Sequence, residues 1–267
     1  MESGIQRARR YPAKPADIYL FATCLVDQFV PEVGIDTVRL LEREGIASHF
    51  PEAQICCGQP AYTSGFPDQA RAVARRQLNL FPHAWPIVVP SGSCAAMMRH
   101  HYPRLFADDP VLLAQALELS QRVFELSEFL VHVVGFARDD QGPACTVALH
   151  TSCHARREMG SHETSAALLA GLSRVSVVQQ ARAEECCGFG GTFALRHPEI
   201  SAAIVADKVD SLLDSGAEHV LSADCGCLMN ILGHAAKRDA AAAPGTATLS
   251  GEHIASFLWR RTSGASS

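Results

Sequence analysis

Glu185–Gly191 reads ECCGFGG and Ile55–Pro60 reads ICCGQP, so a pair of adjacent cysteines closed by a glycine occurs twice in the chain. Other landmarks keep nearly the same interval. Cys24 and Cys153 lie 129 residues apart, Cys56 and Cys186 130, Pro67 and Pro198 131, and Cys94 and Cys227 133. The context repeats with them: FPDQA from Phe66 answers HPEIS from His197, and ELSEFL from Glu125 answers HIASFL from His253. An internal duplication accounts for all of this and governs the assignment of elements.

Each half then has one order of elements. DIYLFAT (17–23) and TVALHTS (146–152) are apolar runs that read as buried strands, delivering Cys24 and Cys153 at their carboxyl ends. EVGIDTVRLLEREGI (32–46) and ETSAALLAGLSRV (163–175) space apolar residues three and four apart, the helical pattern. After the Cys-Cys-Gly turns, the segments starting at Pro67 and Pro198 open with proline and acidic residues, which suit a helix N-terminus. PIVVPS (86–91) and EHVLSAD (218–224) read as strands leading to Cys94 and Cys227. Strands alternating with helices imply parallel sheets under helical cover. The sequence therefore predicts an α/β fold of two tandem repeats related by a pseudo-twofold, each a small parallel sheet covered by helices.

Charge, glycine and proline cluster in ARDDQGPA (137–144) and place the boundary there. The expected division is an N-terminal arm (1–16), a first cysteine-rich repeat (17–137), a second (138–259) and a disordered tail (260–267). AAKRDAAAAPGTATLSG (235–251) reads as a loop before the closing helix. The arm holds Arg7, Arg9, Arg10 and Lys14 and reads as a solvated, poorly ordered terminus.

At 267 residues with 48% hydrophobic and 19% charged content, the chain has the composition of a soluble globular protein. Its net charge of -5, with no basic concentration beyond the arm, weighs against a nucleic-acid partner. No apolar run reaches the length of a membrane span, and no signal peptide is recognisable, so a cytoplasmic location is expected. In a reducing compartment ten cysteines point to metal or redox chemistry more than to disulfides.

Ligands of open α/β sheets sit outside the carboxyl ends of the strands. Each half can gather four thiolates there: Cys24, Cys56, Cys57 and Cys94 in the first, Cys153, Cys186, Cys187 and Cys227 in the second. Four cysteines suit an iron–sulfur cluster and also a structural zinc site. Zinc sites commonly draw their pairs from knuckles with two to four residues between the thiolates, whereas these pairs are adjacent. Gly58 and Gly188 allow the turn that brings neighbouring thiolates to one centre, where a multi-iron cluster can take them on different metals. Cys145, outside both sets, reads as a core residue. His150 and His154 flank Cys153 and are placed to donate hydrogen bonds to cluster sulfurs or to pass protons. The glycines of CGFGGTF lack dinucleotide-fingerprint spacing, His100 and His101 read as surface residues, and Glu184 and Glu185 as solvated. No general base or other catalytic residue stands out.

CLVDQFVPEVG, CCGQPAYTSG, PSGSC, HTSCHARREMG, CCGFGGTFALRHPEIS and DCGCLMNI together resemble the cysteine-rich, CCG-domain iron–sulfur proteins, over roughly Tyr19 to Leu258. More distant members include the B subunit of heterodisulfide reductase and the iron–sulfur subunits of glycolate and glycerol-3-phosphate dehydrogenases. The resemblance implies an iron–sulfur electron-transfer subunit, with one or two [4Fe-4S] clusters, of a cytoplasmic lactate utilization complex that oxidises L-lactate to pyruvate. LutB-like and LutC-like proteins would be its partner subunits. In heterodisulfide reductase each repeat ends in Cys-x-x-Cys and holds a noncubane double cluster. Here Ser91 and Asp224 replace the first cysteine of that pair, which favours an ordinary cluster and weighs against heterodisulfide chemistry. Cys225 is an extra thiol that can restore a fifth ligand to the second half. Relatives can also fill one repeat with zinc, and with unequal occupancy the second half is expected to hold the cluster. A thiol–disulfide reductase and a zinc-stabilised assembly protein are the alternative functions.

Overall fold

β1 (Asp17–Leu20), β2 (Ala47–His49), β3 (Ile87–Val89) and β4 (Val123–Glu125) form one parallel sheet in the order β2-β1-β3-β4. β5 (Cys145–Leu149), β6 (Val175–Val178), β7 (His219–Ser222) and β8 (Ser250–His253) form a second in the corresponding order β6-β5-β7-β8. The computed structural model describes residues 9–241 and 249–264; Arg7, residues 242–248 of the stretch read as a loop, and residues 265–267 of the tail lie outside them. Helices cover both sheets, as the alternating pattern predicts. Among the described residues no helix is long and apolar enough to cross a membrane.

Side-chain alternation along the strands sorts the core into three parts. Ile18, Leu20, Val88 and Phe124 of the first sheet share a single cluster with Val147 and Leu221 of the second. The opposite faces serve each half separately: Tyr19, Phe21, Ile87 and Val89 pack with Cys57 and Cys94, and Ala148 and Val220 with Cys187 and Cys227. The shared part is closed by two amphipathic helices, one from each half. Val33, Thr37, Leu40 and Leu41 form the buried stripe of Pro31–Arg43, which packs against Ile254–Thr262. Arg43 ties them by donating to the Thr262 carbonyl at 2.7 Å.

Three segments differ from the sequence reading. The described part of the arm is docked: Arg9 donates to Glu128 at 3.0 Å and lies 3.9 Å over the Phe124 ring, and Tyr11 stacks on His132. The stretch 235–251 begins as the last turns of helix Cys225–Ala241 and ends in β8. The closing helix runs through Arg260 and Arg261 to Thr262, into the span read as tail, because Arg261 is buried against Asp140 at 2.6 Å, with 1% and 0% of the two side chains exposed. Removing one partner of a buried pair strands the other charge. Arg261→Met is therefore expected to destabilise the fold by about 3–5 kcal/mol, read as a lowered urea midpoint with an unchanged slope.

Candidate metal centre

In both sheets the chain reverses its winding between the two central strands, and ligands of such sheets bind outside the carboxyl ends at that point. Cys24 opens helix Cys24–Phe29 just beyond β1, and Cys94 lies in helix Gly92–Ala96 beyond β3. Cys153 follows β5, and Cys227 lies in the first turn of Cys225–Ala241 beyond β7. Thr23 takes a left-handed φ of 74° while its side chain caps the helix of Cys24, a backbone strain placed beside the thiol.

The Cys-Cys-Gly turns bring the remaining thiols to these strand ends. Gly58 (φ 88°) and Gly188 (φ 83°) occupy left-handed positions, and a Cβ on Gly188 would meet the Ser201 carbonyl at 2.7 Å. Their amides donate to Cys56 Sγ at 3.4 Å and Cys186 Sγ at 3.3 Å. Cys57 and Cys94 lie 3.3 Å apart, sulfur to sulfur. All ten cysteines are free thiols, and both four-thiol sets, with Cys225, line one cavity of ≈ 540 Å³.

Within each set the thiol that accepts hydrogen bonds ionises ahead of the thiols that donate them. Cys56 is held well below the usual thiol range because it accepts hydrogen bonds from Cys24, Cys57 and the Gly58 amide; Cys186 does so from Cys153, Cys187 and the Gly188 amide. The donors Cys24, Cys57, Cys153 and Cys187 are pushed up by those bonds and by burial. Metal binding must displace the protons of these raised thiols, so affinity falls as pH falls, by about tenfold per pH unit for each proton displaced. Competitive zinc titrations of the apoprotein at about pH 6 and about pH 8 are expected to show weaker binding at the lower value.

The second set carries a further donor. His150 is 1% exposed, neither ring nitrogen has a hydrogen-bond partner, and its ligand atom lies within 4.8 Å of those of Cys187 and Cys227. Burial, then Lys208, lowers its pKa to about 3, so the imidazole is neutral. His154 is half-buried with Nδ1 3.6 Å from Cys153 Sγ. Free thiols in mutual contact, backbone donors to sulfur and an orphaned buried imidazole are a donor chemistry that fits a thiolate-held metal group.

Ser91 and Asp224 meet each other across the two halves. Asp224, 4% exposed, accepts from Ser91 Oγ at 2.8 Å, Ser93 N at 3.1 Å, Ser93 Oγ at 2.7 Å and Ser152 Oγ at 2.5 Å. The halves approach so closely here that a Cβ on Gly92 would meet Ala155 at 2.3 Å. Ser64 and Thr192 join hydroxyls beside the turns, and His101 bonds Glu158 at 2.8 Å. His101 is thus a buried bridge between the halves, not the surface residue its sequence position suggested. Cys225 lines the cavity, and its thiol is pushed up to about 12 by burial, Asp224 and Cys94. Cys145 is half-buried against the shared core, with Arg261 Nη1 3.6 Å from its sulfur.

Several supports of the site escaped the sequence reading. Gln77 donates to the Ile55 carbonyl at 2.8 Å, and Lys208, 131 residues later, to the Arg182 carbonyl at 2.6 Å, so equivalent side chains brace the approach to each turn. Tyr102 Oη donates to the Cys57 carbonyl at 2.9 Å, and Asn230 Nδ2 to that of Cys187 at 2.8 Å. The interval of Gln77 and Lys208 equals that of Pro67 and Pro198, a signal available in the sequence.

Two cysteine-rich repeats with thiols at matching strand ends define a class of protein, and the comparisons agree. The chain belongs to the CCG cysteine-rich domain family, whose pattern matches residues 18–99 and 147–232. Within it, the chain is 43% identical to lactate utilization protein A of Bacillus cytotoxicus, over 81% of this chain and 90% of the relative. It is 45% identical to lactate utilization protein A of Shouchella clausii over 81% and 90%, and 43% identical to that of Bacillus subtilis over 83% and 93%. A crystal structure of a hypothetical protein from Helicobacter pylori shares the fold, with a TM-score of 0.66 at 10% identity, over 97% of this chain and 52% of that one. This chain thus spans about half the length of that structure.

Proposed function

We propose that this chain is the iron–sulfur electron-transfer subunit of a cytoplasmic complex that oxidises L-lactate to pyruvate, working with LutB-like and LutC-like partners. The observation that carries the reading is the gathering of two four-thiol sets at matching strand ends around one cavity. Its lactate branch rests on the name of the curated relatives. L-lactate yields pyruvate, two protons and two electrons. Clusters held by such thiol sets would supply one-electron carriers, so two centres match a two-electron donor. The chain's own part is to hold the thiolates, through the turn glycines and the Gln77 and Lys208 braces, and to aim the Gly58 and Gly188 amides at sulfur, which tunes potential.

Cys225 does not suit the thiol–disulfide alternative, because a buried thiol pushed up to about 12 is a poor nucleophile. The grouping of His150 with Cys187 and Cys227 favours a second reading, zinc in the second repeat as a structural metal. The test is to mix the anaerobically prepared protein with its two partner proteins and L-lactate. Bleaching of the visible cluster absorption is expected; a spectrum untouched by lactate yet bleached by dithionite overturns the lactate assignment.

A further inference from the structure

The two repeats share one strand order, and one of their departures from symmetry falls at a strand end beside the thiols. Cys24 follows Phe21 by three residues, and Cys153 follows His150 by three, so Phe21 and His150 are equivalent positions on β1 and β5 continuations. The packing says the same. Phe21, fully buried, shares a core cluster with Cys57 and Cys94 of the first set, and His150 lies against the corresponding Cys187 and Cys227 of the second. One position is therefore filled by a ring without donors in the first repeat and by an imidazole in the second.

A buried imidazole ordinarily finds hydrogen-bond partners, and leaving one without costs about 1–3 kcal/mol. His253, equally buried, keeps one partner, its Nδ1 accepting from the Ala255 amide at 3.1 Å while Nε2 has none. His150 does not: both nitrogens are orphaned, and its ligand atom shares a 4.8 Å sphere with two thiols. A single zinc ion with bonds of about 2.1 Å to nitrogen and about 2.3 Å to sulfur can take all three with small adjustments, whereas in an iron–sulfur cluster each of them would go to a different iron.

We infer that His150 is a direct ligand of the metal group in the second repeat, so that the first centre is held by thiolates alone and the second by thiolates and an imidazole. The inference rests on the metal-centre reading above and deepens it. In an iron–sulfur cluster His150 would take the terminal position of one thiolate of the second set, and a neutral imidazole in place of an anionic thiolate raises the potential, which sets the second centre above the first and orders electron flow between them.

The test uses Cys57→Ser protein, in which only the second centre should remain, labelled with 15N-histidine, purified and reduced anaerobically. Metal analysis comes first and addresses the metal reading on its own. With iron present, pulsed EPR is expected to show a strong nitrogen coupling that vanishes in His150→Phe, the residue the first repeat carries there, and survives in His154→Phe. A paramagnetic centre without that coupling, or a coupling indifferent to His150→Phe, overturns the ligand assignment while leaving the iron reading intact. With zinc present in place of iron, the iron reading fails for this repeat, and zinc-edge X-ray absorption decides the ligand: sulfur with one nitrogen supports His150, sulfur alone overturns it. A second repeat that binds neither metal overturns both.

Discussion

Cys187→Ser is expected to strip the metal from the second repeat while the first keeps its own, removing roughly half of the total if both are filled. Cys187 is 3% exposed and lies at the middle of its set, its thiol in hydrogen-bond contact with those of Cys186 and Cys227 and within metal distance of His150. Serine has nearly the same shape, so packing is disturbed little, but its hydroxyl is a hard donor that does not ionise as a thiol does. The mirrored Cys57→Ser change should empty the first repeat instead. Metal analysis of the two variants would then give complementary deficits. Unchanged metal in Cys187→Ser protein would mean that the second set is not a metal centre.

The second large effect is expected at Asp224. Its carboxylate, 4% exposed, accepts four hydrogen bonds from Ser91, Ser93 and Ser152 at the junction between the halves. Asp224→Ala removes them together, strands three hydroxyls and leaves a cavity, at an expected cost of about 3–5 kcal/mol. Asp224→Asn keeps the shape and one accepting oxygen, so it should cost less, about 1–2 kcal/mol. Urea denaturation of the metal-loaded proteins reads both. Equal and small effects would show that the junction is held by apolar packing instead. A result in the expected order would show that Ser91 and Asp224 fasten the repeats to each other.

How much was legible in the sequence follows from where the information lies. The central strands were readable because each is an apolar run that ends near a cysteine, and the register of the duplication placed both thiol sets. The edge strands were not. Ala47–His49 and Ser250–His253 are short and polar, and Val123–Glu125 runs directly into the helix that Glu125 caps. Such segments have no periodicity of their own and are strands only because a central strand pairs with them. Contacts between residues far apart in the sequence were equally hidden. Nothing local marks His101 as the partner of Glu158, Arg261 as that of Asp140, or Asp224 as an acceptor for Ser91, 133 residues earlier. His150 and His154 looked alike beside Cys153; burial and unpartnered nitrogens separate them.

The two thiol sets are expected to be iron–sulfur centres that accept electrons. Anaerobic purification followed by iron, sulfide and zinc analysis, with visible and EPR spectra before and after dithionite, tests this most directly. A brown protein with about four irons and about four sulfides per occupied set, giving an EPR signal on reduction, is the expected result. A colourless protein that holds zinc alone, even after anaerobic reconstitution with iron and sulfide, would contradict it.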